Sequence, residues 1–71
     1  MYIAEYEENG TIIETLETDD LKEISKFFCE HRFFENLQPC MDMIKAFKPS
    51  DGLRFRRRRN DTTKFIYVSR V

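Results

Sequence analysis

The sequence predicts a small α+β domain of order β-β-α-α-β-β, an antiparallel sheet of about four strands covered on one face by two helices. Three observations carry that expectation. An Asn-Gly pair sits between two β-forming runs, two apolar stripes follow at helical spacing, and the carboxyl-terminal third is rich in β formers with a break near Asn60-Asp61. A chain of 71 residues has room for one domain, 1–71, and at this size burial on folding reaches only about 60% of the unfolded surface. Seven phenylalanines supply large rings for a core built from few residues.

The first element pair is "YIAEYEENGTIIETLET". Asn9 and Gly10 both tolerate positive φ, so strands are expected at about 2–7 and 11–17. A two-residue loop opposes Tyr6 and Ile13. A three-residue loop instead gathers Tyr2, Tyr6, Ile12 and Leu16 on one face with Ala4 and Glu14, and burial favours this second register.

In "TDDLKEISKFFCEH" Asp20 precedes Glu23 by three residues, a start resembling a capping box, and Leu21, Ile24, Phe27 and Phe28 form one apolar stripe. In "PCMDMIKAFKP" Pro39 suits a first helical turn. Cys40, Met43, Ile44 and Phe47 repeat at i, i+3, i+4 and i+7, and Pro49 ends the pattern. After the turn "PSDG", strands over 53–59 and 64–71 flank "NDTT".

Charge is divided along the chain. Residues 1–36 carry ten acidic side chains against three basic ones, a net of -7, and residues 37–71 carry nine basic against three acidic, a net of +6. Five of the basic residues lie in "LRFRRRR". Strand alternation sends Leu53, Phe55, Arg57 and Arg59 to one side and Arg54, Arg56 and Arg58 to the other. If Leu53 and Phe55 face the helices, the outer face carries an arginine stripe, and a two- or four-residue loop sets Phe65 and Tyr67 beside it. Guanidinium groups interleaved with rings resemble a platform for single-stranded nucleic acid, where phosphates meet arginine and bases stack on rings.

Two other uses of these residues compete with that one. Glu5, Glu7, Glu14 and Glu17 can lie opposite the arginines if the hairpins pair, and opposite charges across strands contribute roughly 0.2 to 1 kcal/mol each. Arginine also protects an edge strand from recruiting other chains. Alternatively, the same four glutamates act as a phosphate mimic docking on a basic groove of a protein partner. Phe33 and Phe34, adjacent rings between the helices, are further partner-binding candidates, because so small a domain cannot easily bury both.

Several classes have little support. Cys29 and His31 stand two apart on a helix and point to nearly opposite sides, so they make a poor nucleophile and base. Cys29, His31 and Cys40 lack paired zinc spacing and a fourth ligand. A helix-turn-helix is disfavoured by the long, glycine-free connection "FFENLQ". No leader pattern and no run approaching the ~20 apolar residues of a spanning helix is present, so a cytosolic chain with reduced thiols is expected. The expectation is a non-enzymatic regulator or inhibitor without cofactor, metal, membrane or small-molecule substrate. Its partner would be nucleic acid or a nucleoprotein, and the alternative is a purely protein-binding inhibitor or adaptor.

Overall fold

The computed structural model describes residues 1–46, 53–59 and 61–70. The elements are β1 (Tyr2–Glu8), β2 (Thr11–Thr18), α1 (Leu21–Glu30), α2 (Leu37–Lys45), β3 (Leu53–Arg59) and β4 (Thr62–Arg70), in the order expected. All four strands form one antiparallel sheet ordered β2-β1-β4-β3. Phe47, Pro49, the turn over 49–52 and Asn60, which also figure in the sequence pattern, lie outside the described residues.

The β1-β2 hairpin turns through Asn9 at φ 49° and Gly10 at φ 86°, two left-handed residues of the kind that match a two-residue turn to strand twist. Glu8 pairs with Thr11 and Glu7 with Ile12, but the register then shifts, so that Tyr6 pairs with Glu14, Ala4 with Leu16 and Tyr2 with Thr18. Ile13 is the extra residue of a β-bulge. The bulge reconciles the two loop lengths. The tip has the short loop, and the body has the register that gathers Tyr2, Ala4, Tyr6, Glu14 and Leu16. Ile12, expected with that set, pairs with Glu7 on the opposite face instead, and it and Ile13 are 53% and 58% exposed. Asn9 also fastens the hairpin to β4: its amide donates to the Thr63 carbonyl and its Oδ1 accepts from the Thr63 amide, both at 3.0 Å.

Helix α1 begins at Asp20, whose carboxylate accepts from the Lys22 amide at 2.9 Å. It ends in a Schellman motif. Arg32, at φ 62°, occupies the left-handed position usually given to glycine, the Arg32 amide donates to Cys29 O and the Phe33 amide to Phe28 O. This reversal folds Phe33 back over Phe28. The expectation of exposed rings between the helices is therefore corrected, because Phe33 and Phe34 are both half-buried against the core. Phe28 is the hub of that packing, fully buried with Phe33, Phe34 and Phe55 edge-on at 6.4, 6.2 and 5.2 Å.

Helix α2 carries Pro39 in its first turn and buries Cys40 and Ile44. The two helices cover one sheet face, where Tyr2, Ala4 and Tyr6 of β1 and Ile66 and Val68 of β4 are buried beneath Ile24, Phe27, Phe28, Cys40 and Ile44. Alternation then requires the odd-numbered residues of β1 and β4 and the even-numbered ones of β3 to form the opposite, outer face.

Candidate nucleic-acid interface

The outer face is ordered in columns by the strand registers. On β3, Phe55 packs with the core while Arg54, Arg56 and Arg58 are exposed. Arg54 pairs with Tyr67, Arg56 with Phe65 and Arg58 with Thr63 on β4. One strand further, Tyr67 pairs with Glu5 and Phe65 with Glu7 on β1. Guanidinium groups, rings and carboxylates thus stand side by side, with the rings in the middle.

Contacts within the face fix the rings. Phe65 and Tyr67 are half-buried, as Phe33 and Phe34 are, and lie 5.9 Å apart at 27°. The Arg54 guanidinium carbon sits 5.1 Å from the centre of the Phe65 ring, a cation–π contact. The Tyr67 hydroxyl donates to Glu7 Oε2 at 3.1 Å.

Of the sequence-derived candidates, the structure brings together Arg54, Arg56, Arg58, Phe65 and Tyr67, and adds Glu5 and Glu7 on the far side of the rings. It does not put the glutamates opposite the arginines, because β4 lies between β1 and β3. Among the described residues no ion pair joins Arg54, Arg56 or Arg58 to a carboxylate; the Met1 amino group pairs with Asp19 at 3.2 Å, and His31 Nε2 lies 3.4 Å from a Glu14 carboxylate oxygen. The four glutamates are also not one surface. Glu17 pairs with Ile3 on the outer face, whereas Glu14 pairs with Tyr6 on the helix-covered side, near His31.

His31 has a packed environment that the sequence did not disclose. Its ring stacks on Tyr6 at 3.8 Å and 12° and meets Phe27 edge-on at 4.8 Å, while Nε2 approaches Glu14 without hydrogen-bond alignment. Only the position of a histidine just after an apolar helix hinted at it. Burial, followed by donation to Glu8, pushes the Tyr6 hydroxyl up to about 12. Burial likewise raises Cys29, and it raises Cys40 to about 11. These shifts oppose thiolate formation and so oppose nucleophilic chemistry at either cysteine.

An open cleft of about 400 Å³ is lined by Cys29, Arg32, Phe34, Glu35 and Arg57, where the Arg57 guanidinium donates to the Arg32 carbonyl. Among the described residues no three His, Cys, Asp or Glu side chains converge as a metal site, and no helix is long and apolar enough to cross a membrane. No protein-family model, curated protein or solved structure matches the chain.

Proposed function

We propose that this protein is a small non-enzymatic interaction module that binds single-stranded nucleic acid, free or within a nucleoprotein assembly, and regulates or inhibits by occupying it. The observation that supports this best is the outer face of β3 and β4, where three exposed guanidinium groups, with no carboxylate partner among the described residues, run beside two half-buried rings. Arginine meets phosphate through paired N–H donors, and every base presents a π-face to an aromatic ring. Residues at i and i+2 on a strand stand about 6.7 Å apart. The three arginines therefore form a track along which a backbone runs, with the rings one strand to the side.

Fluorescence anisotropy with a labelled single-stranded oligonucleotide tests this. Binding at about 50 mM salt is expected to be micromolar or weaker, with log affinity falling against log salt at a slope near -2, about -0.7 for each of three phosphates. The variant Arg54→Gln/Arg56→Gln/Arg58→Gln should lose it. Absent binding, or binding indifferent to the triple change, would leave these arginines to edge protection or a protein partner.

A further inference from the structure

The carboxylate column plays no part in holding phosphates, yet it borders the rings as closely as the arginines do. Glu5 lies beside Tyr67 and Glu7 beside Phe65 in register, each ring having an arginine on its other flank. A strand cannot run its phosphates along β1, since like charges would face each other there. Its backbone is confined to β3. A base stacked on Phe65 or Tyr67 then extends away from the arginines, and its pairing edge meets Glu7 or Glu5.

We infer that Glu5 and Glu7 read that edge, favouring bases with an exocyclic amino group, cytosine above all, over thymine and uracil; this rests on the interface proposed above. A carboxylate only accepts hydrogen bonds. The N4 amino group of cytosine donates to it, a pairing that glutamate makes in base recognition. Thymine offers one N3–H between two carbonyl oxygens, so docking it sets acceptor against acceptor and strips water from groups left unpaired. Glu7 is already oriented for the task. Its Oε2 accepts from the Tyr67 hydroxyl at 3.1 Å, which holds the half-buried carboxylate at the ring margin and leaves Oε1 for the base. Ring stacking keeps the site broadly tolerant, and the carboxylates add a bias on top of it.

Oligo-dC and oligo-dT of equal length test the inference by anisotropy near neutral pH, because both carry the same backbone charge and the phosphate contribution cancels in the ratio. The wild type should bind oligo-dC about tenfold tighter, the discrimination one good base contact provides. In Glu5→Gln/Glu7→Gln, whose amides both donate and accept, the ratio should fall to about one, chiefly because oligo-dT binds better. Equal binding of the two oligomers to the wild type, still dependent on Arg54, Arg56 and Arg58, would overturn the base-reading role and leave the interface standing. A preference that survives in the double variant would overturn it as well, and absence of binding to either oligomer would remove both. If the double variant loses its thermal transition, Glu5→Gln alone carries the comparison and should halve the preference or more.

Discussion

Replacing Arg54, Arg56 and Arg58 together by glutamine should leave folding stability within about 1 kcal/mol of the wild type. That result would separate arginines kept for a ligand from arginines kept for the sheet. The magnitude follows from the strand order. With β4 interposed, the guanidinium and carboxylate columns are roughly 9 to 10 Å apart. Two unit charges at that distance in water attract by about 0.4 kcal/mol, and screening at 0.1 M salt lowers this to about 0.2 kcal/mol. Two such rows, Arg54 with Glu5 and Arg56 with Glu7, therefore contribute about 0.4 kcal/mol. The contact of Arg54 with Phe65 adds about 0.5 kcal/mol at an exposed site.

Repulsion works the other way. Successive arginines about 6.7 Å apart repel by about 0.3 kcal/mol per neighbouring pair after screening, or about 0.6 kcal/mol for the two pairs. The sum is close to zero. Three directly opposed pairs would instead have contributed roughly 0.6 to 3 kcal/mol, out of a total of about 4 to 11 kcal/mol for a chain this long. Urea unfolding followed by far-ultraviolet circular dichroism, at low and high salt, measures the difference. A loss above about 1.5 kcal/mol that shrinks as salt is added would instead make the arginines a structural ladder.

Three further outcomes follow from the fold. Asn9→Ala should lower the thermal midpoint by the equivalent of about 1 to 2 kcal/mol, since it places a Cβ-bearing residue without a polar side chain at φ 49° and removes the acceptor for the Thr63 amide; Asn9→Gly should cost clearly less. Because Cys40 and Tyr6 hold their protons more tightly folded than unfolded, their contribution is complete below pH 9.0 and 10.0 respectively and is lost as pH rises to about 11 and about 12. A thermal midpoint flat to pH 11 would contradict this, whereas Cys40→Ala should weaken the alkaline decline at a packing cost of about 1 to 2 kcal/mol. Phe28→Ala, which empties the centre of the ring cluster, should cost about 3 to 5 kcal/mol in urea unfolding, and a smaller loss would mean that Phe33, Phe34 and Phe55 collapse into the space.

What the sequence disclosed was local. Asn9-Gly10 announced the first hairpin through backbone conformations that few residues tolerate, and strand alternation set Phe55 against Arg54, Arg56 and Arg58. The two-residue connection between Arg59 and Thr62 then put Phe65 and Tyr67 beside the arginines, as alternation with that loop requires. Strand order was not legible, because β1 pairs with β4 across more than fifty residues and no local pattern states which strand will lie next to β3. That one fact decides whether the glutamates neutralise the arginines or stand across the rings from them. The bulge at Ile13 has no glycine to mark it. The burial of Phe33 and Phe34 was hidden for a related reason, since Arg32 takes the left-handed position where glycine would have signalled a helix stop. Charge alone groups Glu14 with Glu5, Glu7 and Glu17, although the register that burial favours places it with Tyr6 and Leu16.

Whether the outer face of β3 and β4 receives single-stranded nucleic acid is tested residue by residue by an amide chemical-shift titration of the isotopically labelled protein with oligo-dC. The proposed interface requires perturbations concentrated at 54–58 and 63–67, extending to Glu5 and Glu7, with α1 and the body of β2 unmoved. No perturbation at an excess of oligonucleotide, or perturbation centred on the helices or on the cleft beside Cys29, would contradict it.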